Sequence, residues 1–555
     1  PDFANAPVVV LDGSNLAPGE SGLVLIAADC LVRGLVINGL ESDSNVGGGQ
    51  AIAILAGGSC RIEGNYLGTN ASGTAAVPNT TGVSIQISAG SVVGGTVTAA
   101  RNVISGNESV GVAVNYDETA TANVISGNYI GTNATGTAAI PNGTGIYLSS
   151  APGNVVGGLA AGSRNVISGS LNPGFGVGIA YETANGNLVQ GNFIGVAADG
   201  VTELGNGSTG MFVSGGASDN VIGGPAANAG NTIAYNLDGV QILQETSLPG
   251  ISRGNLVSRN TIHSNQRLGI NLSFDYDGDP APNDSGDADD GPNGFQNYPV
   301  ITSASNGRIR GTLDSKPNAA YTIDFYSNDE CDQPSGFGEG KTWLGTSMVT
   351  TDGAGRVDID ATLSVAAGTG VAATATDAEN NTSEFSQCFP LDPVPWVVNS
   401  ANDVADGLCN AAHCSLRDAI IAANSASNPR PQSIHFSIPT PVTGEILIAP
   451  ASSLPTITRT MAIDGYTQPG SSANTDPVVS NAQIRIRIHG TPFGLSICAD
   501  GTSVRGLAIT GTSQSAIIVG GTDAGQLCSP GDDSTIIGNF IGLRADGTTA
   551  GNNAR

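Results

Sequence analysis

Acidic side chains at alternate positions carry the clearest chemical signal in this chain. Asp275, Asp277 and Asp279 alternate, and Asp284, Asp287, Asp289, Asp290 and Asn293 follow, with Gly291 between. Hard oxygen donors at such spacing in a glycine-containing loop are what Ca2+ requires. The expectation is a structural calcium ion that stiffens a joint. The plainer alternative is a solvated acidic linker.

The eight cysteines fall in close pairs: Cys30 with Cys60, Cys331 with Cys388, Cys409 with Cys414, and Cys498 with Cys528. No CxxC occurs and the four histidines are scattered, which argues against zinc. Disulfides in an oxidising compartment are expected instead. The pairings Cys331–Cys388 and Cys409–Cys414 follow directly. Those of Cys30, Cys60, Cys498 and Cys528 stay open, because Cys30 aligns with Thr502 and Cys60 with Ser534. Cys414, with His413 beside it, reads as half of a local staple and not as a nucleophile. His263 and His489 read as lone residues of the repeat. Tyr66, Tyr129, Phe193 and Phe540 recur after Gly-Asn and read as core or corner packing. The other aromatic residues are few and dispersed, so no sugar-stacking platform is expected.

These residues must be positioned by β structure. The chain has 555 residues, of which 79 are glycine and only 12% are charged. That profile fits many short strands and tight turns. A formal net charge of −27 leaves no basic patch for nucleic acid or an anionic membrane surface. No apolar run reaches the ~18–20 residues that span a bilayer, so no membrane insertion is expected in this segment.

A Gly-apolar-x-apolar signature recurs about every 30 residues, at Gly82, Gly111, Gly145, Gly176, Gly210, Gly239 and Gly269. Two further short strands fit into each period. Three strands per period without helices between them imply a right-handed parallel β-helix. Alternate apolar side chains such as Ile146 and Leu148 should point inward, and the recurrent asparagines should stack into ladders. The near-identical stretches Thr69–Asn79 and Thr132–Asn142 should protrude as loops on one side.

After the acidic stretch come six β-like runs: 307–313, 321–327, 342–350, 356–363, 371–377 and 383–389. Together they span about 90 residues, the size and pattern of an immunoglobulin-like sandwich. Leu391–Pro395 reads as a stiff linker. A helix is expected over Leu416–Asn424 with Ser415 as its N-cap. Strands resume at 434–438, 446–448, 461–463 and 484–488. Val32-Arg-Gly-Leu-Val-Ile37 and Gly64-Asn-Tyr-Leu-Gly-Thr69 then return, about 470 residues later, as Val504-Arg-Gly-Leu-Ala-Ile509 and Gly538-Asn-Phe-Ile-Gly-Leu543. The expected organisation is 1–298 as a β-helix lacking its N-terminal cap, 299–391 as the sandwich, and 396–555 as the cap and first coils of a second β-helix.

Asp403 to Ile420, with Cys414-Ser-Leu-Arg-Asp-Ala419 inside it, resembles the CSLREA motif of large secreted bacterial proteins; Asp418 stands where that motif has Glu. Ile463–Gly470, Gly291–Pro299, Ala373–Asp377 and Asn381–Ser386 are similar to other recurrent elements of such proteins. The resemblance implies that Cys409 to Arg417 begins a β-helix cap. It further implies that residue 1, inside a coil, takes its cap from the parent protein or from a neighbouring molecule, and that any leader or anchor lies outside the segment. Asn474-Thr-Asp476 and Asp289-Asp290 are similar to fragments of polygalacturonase signatures, but the Gly-His-Gly and Arg-x-Lys partners are absent.

The expectation is therefore a structural or adhesive repeat segment of a secreted or cell-surface bacterial protein, not an enzyme. Its partners would be neighbouring repeat units, other copies head to tail, or a surface glycan or protein. A β-helix polysaccharide lyase or hydrolase and a self-assembling filament subunit are the alternatives.

Overall fold

The computed structural model describes all residues except 1–6, 45–46, 56–57, 116–117, 246–249, 275–277, 306, 333–334, 367–368, 392, 427–429, 440–443, 492, 521, 524–525, 528–530 and 554–555. The chain divides into two compact units, Pro1–Val365 with Gly370–Pro390, and Ala366–Thr369 with Leu391–Arg555.

The first unit begins as a parallel β-helix. Three sheets of nine, nine and eight strands run along it, from Val9–Asp12, Leu23–Leu25 and Leu31–Arg33 to Thr261–His263, Ile270–Ser273 and Leu256–Ser258. Strand pairing is parallel and in register, so like residues stack from rung to rung. Ile52, Val83, Val112, Ile146, Val177, Met211, Val240 and Ile270 form one such inward column, and Ile54, Ile85, Val114, Leu148, Ile179, Val213, Ile242 and Leu272 the next. All are buried. Each contributes roughly 1.5–3 kcal/mol of apolar burial, so the core stabilises the solenoid along its whole length. Glycine sets the corners where rungs touch. Gly94, Gly157 and Gly223 sit at φ 91, 86 and 83°, and a Cβ on any of them would lie 2.0–2.2 Å from a carbonyl oxygen of the next rung.

Asparagines line the corners in three columns. The longest runs Asn65, Asn102, Asn128, Asn165, Asn192, Asn231, Asn260, with each side-chain NH2 donating to the next Oδ1 at 2.9–3.2 Å. A second joins Asn79, Asn107 and Asn142, breaks at Ser170, and resumes through Asn206, Asn236 and Asn265. A third climbs from Asn123 through Asn154, Asn187 and Asn220 to Asn255. These ladders satisfy backbone groups that the corners leave unpaired inside the protein.

Two antiparallel sheets complete the first unit. One has three strands, Val300–Ser305, Arg308–Asp314 and Arg356–Thr362; the other has four, Thr342–Thr350, Ala320–Asn328, Gly370–Thr376 and Phe389–Pro390. Two expectations need correction. Val300–Ser305 is a strand that the pattern of runs missed. Residues 383–388, expected within a strand, lie outside the regular strands: Glu384 and Phe385 are used on the solenoid, and the Ser383 and Ser386 hydroxyls accept from Ala375 N and Ala373 N.

Among its described residues the second unit holds one α-helix, Leu416–Ser425, capped by Ser415, whose Oγ accepts from the Asp418 N–H at 3.1 Å. Parallel sheets of five, four and two strands follow the β-helix pattern. The sequence repeat is a structural one. Gly34 and Gly506 turn the same corner at φ 76 and 72°. Asn65 and Asn539 each accept from the next corner's backbone, Leu35 N and Leu507 N, at 3.0 Å, and donate to Val32 O and Val504 O at 3.0 and 2.8 Å.

Candidate functional site

The solenoid's last rung is where polar chemistry concentrates. Its inner groups would end in open water; the two-sheet module covers them instead. Glu339 terminates the second asparagine column, its Oε1 accepting from Asn265 N at 3.0 Å and Nδ2 at 2.8 Å. Burial pushes the Glu339 carboxyl up to about 7. Glu384 accepts from Leu272 N on Oε1 and from Ala281 N on Oε2, both at 2.8 Å. Asp324 takes the Ser258 hydroxyl at 2.7 Å, and Thr382 Oγ1 takes the Val257 N–H at 3.0 Å. All four residues are buried.

The acidic stretch lies beside this junction, and the structure divides the proposed ligands. Asp284, Asp287 and Asp289 bring one carboxylate oxygen each within 4.8 Å of one another. Asp287 is buried; it accepts from Asn297 N at 2.8 Å, and Lys316 Nζ stands 3.6 Å from its other oxygen. Burial, with the neighbouring Asp284 charge, raises the acids of Asp287 and Asp289. Three hard oxygens that repel one another in this way fit a divalent cation. Two expected ligands go elsewhere. Asp290 pairs with Arg253. Asn293 is fully buried and extends the third asparagine column, accepting from Asn255 N at 3.1 Å and donating to Asn255 O and Thr382 O. The Asn293 side chain is thus engaged with the solenoid's end. Asp279 is exposed, and Asp275 and Asp277 lie outside the described residues.

Cys331–Cys388 and Cys409–Cys414 are disulfides, and Cys498 is disulfide-bonded. Cys528 lies outside the described residues. Cys30 and Cys60, expected in disulfides, are free thiols. They precede the paired residues Leu31 and Arg61 on successive rungs; a strand spacing of ~4.7–4.9 Å lies within the ~4.4–6.8 Å Cα range of disulfides, yet no bond joins them. Both thiols point at the Ala27 carbonyl, at 3.0 and 3.5 Å. Burial, with Cys30 beside it, pushes the Cys60 thiol up to about 11.

The second unit contains a cluster that the sequence concealed. Asp406, His413 and Asp418 gather beside the Cys409–Cys414 staple, with His413 Nδ1 2.9 Å from Asp406 Oδ2. Asp418 is tied to Ser415 at the helix start, so the group fastens the cap. Of the other histidines, His263 packs edge-on against Tyr235 and its pKa is lowered by burial and by Lys341. His489 contacts Thr510 at 3.1 Å. The polygalacturonase-like fragments 289–290 and 474–476 fall in different compact units.

Aromatic residues are less dispersed than their spacing suggests. Tyr147, Phe175 and Phe212 form a row on the outer face of one solenoid sheet; Phe175 stacks on Phe212 with centroids 4.9 Å apart, and Tyr147 lies tilted at 44° against Phe175 at 6.0 Å. Gly178 makes the row continuous, since a Cβ there would meet the Phe175 ring at 2.3 Å. Tyr129 and Phe193 carry Arg101 and Arg164 over their rings at 4.2 and 4.1 Å. The repeated loops above them stack on each other through Ala134 N to Gly73 O and Ala198 N to Gly136 O, both 2.9 Å.

No helix among the described residues is long and apolar enough to cross a membrane. No protein-family model matches the chain. No curated protein matches it. Among solved structures, it is similar to the tailspike protein gp49 from Acinetobacter baumannii bacteriophage Fri1, a capsular polysaccharide depolymerase. That similarity covers 67% of this chain and 70% of the tailspike chain, at 10% identity and a TM-score of 0.14, a likeness that carries no argument about activity.

Proposed function

We propose that this chain is a structural and adhesive segment of a large secreted or cell-surface bacterial protein of the CSLREA-bearing kind. In this reading the solenoid is a stiff element, the immunoglobulin-like module is its terminal lid, and the stacked polar loops offer a multivalent surface. One observation carries it: buried side chains of the module, Glu339, Glu384 and Thr382, end the solenoid's backbone and asparagine ladders. A lid that completes the ladders transmits load between the two parts. The disulfides favour an oxidising, extracellular setting. A calcium ion held by Asp284, Asp287 and Asp289 would add stiffness beside the lid.

The test is mechanical and enzymatic together. Single-molecule pulling on the full chain should show the solenoid and the lid yielding in one cooperative event. The reading fails if the lid detaches at low force while the solenoid stays folded. It also fails if incubation with acidic polysaccharides releases unsaturated or reducing ends.

A further inference from the structure

The adhesive reading leaves the ligand unspecified, and one cavity carries chemistry that narrows it. About 600 Å3 opens between the segment at Pro282, the chain entering the first antiparallel strand, and the segment Gln387–Pro390. Its walls include the rings of Tyr298, Phe337 and Phe389, the prolines 282 and 299, and the exposed amide of Gln387. Among the described residues, no Lys, Arg, Asp or Glu lines it.

The walls are held before anything binds. Tyr298 and Phe337 pack edge to face, with centroids 5.4 Å apart at 82°. Asn283 grips the Tyr298 backbone from both sides, its Nδ2 donating to Tyr298 O at 2.8 Å and its Oδ1 accepting from Tyr298 N at 2.9 Å. The Cys331–Cys388 disulfide fixes the opposite wall, where Phe337 bridges Gln387. Fixed aromatic faces cost little ordering when a ligand arrives.

We propose that this cavity binds a neutral pyranose unit of a surface glycan. A pyranose presents an apolar C–H face that suits an aromatic ring, and hydroxyls at its edge that suit an amide and a phenol. The described lining offers no cation to a uronate or sulfate, and the net charge of −27 repels polyanions. A volume of this size lies within the ~300–1,000 Å3 of small-ligand sites. The acidic cluster is coupled to the wall, because Asn297, next to Tyr298, donates its N–H to Asp287 and its side-chain amide to the Asp284 carbonyl.

The proposal deepens the adhesive reading and rests on it, yet the two can fail separately. Titration calorimetry of the full chain with cellohexaose, chitohexaose and mannohexaose should show binding to at least one of them, and none to hexagalacturonate. Gln387→Ala, on an exposed side chain, and Tyr298→Ala should each weaken that binding about tenfold, equivalent to ~1.4 kcal/mol. Absence of heat with all three neutral probes overturns the site, as does unchanged affinity in Gln387→Ala and Tyr298→Ala together. In the second case adhesion stands and belongs elsewhere. Binding through these residues by a chain that fails to hold glycan-coated beads would keep the site and remove the adhesive role.

Discussion

Asn165 shows what each ladder position does. Its Nδ2 donates to Ile125 O at 2.8 Å and to Asn192 Oδ1 at 2.9 Å, and its Oδ1 accepts from Asn128 N and Nδ2. Replacing it with Ala strands several buried polar groups at ~1–3 kcal/mol each. A thermal melt of Asn165→Ala should therefore show the first unit's transition several degrees lower. Glu339 behaves differently, because burial holds its acid near 7 in the folded chain, above the ordinary glutamate value. A raised folded pKa stabilises fully below the unfolded value and loses that contribution as pH rises through about 7. The first unit should melt at lower temperature at pH 8 than at pH 5.5, and Glu339→Gln should flatten that dependence. An unchanged slope in the variant would assign the effect to other groups.

The segment Asn381–Ser386 is the element whose role the pattern hid. Its apolar and polar residues look like a strand, yet Thr382 and Glu384 bond to the solenoid, and Phe385 packs within the solenoid's core cluster. Glu384→Ala would leave the N–H groups of Leu272 and Ala281 unpaired. Hydrogen exchange should then quicken at Ile270–Ser273 while the rungs around Ile146 stay protected. The helix of the second unit was legible from Ser415 onward, since a serine before an apolar helical run announces its own cap. Ser415→Ala should cost about 1 kcal/mol, read as a lower denaturation midpoint of the second unit alone.

Taken as a molecule, the chain joins two solenoid segments of one repeat, each in its own compact unit. A calcium ion at Asp284, Asp287 and Asp289 would stiffen the first unit beside the junction of solenoid and two-sheet module. Adding Ca2+ should raise the melting temperature of the first unit and leave the second unchanged, with EDTA reversing the gain. Asp287→Asn should abolish the response. If melts with Ca2+ and with EDTA superimpose, Lys316 alone balances Asp287.

Periodicity in this chain is strong because each rung must present the same inward residues to the next. A local pattern therefore specifies the solenoid, its asparagine columns and the capped helix. Which carboxylates meet is a different kind of fact. Asn293 and Asp287 look alike as oxygen donors in one acidic run, but long-range packing hands Asn293 to the solenoid's end and leaves Asp287 facing Asp284. The same holds for Cys30 and Cys60, neighbours only through rung stacking, and for Tyr298 and Phe337, which pack edge to face from segments far apart in the chain. Such encounters depend on how distant segments close on each other, and no spacing along the chain encodes them.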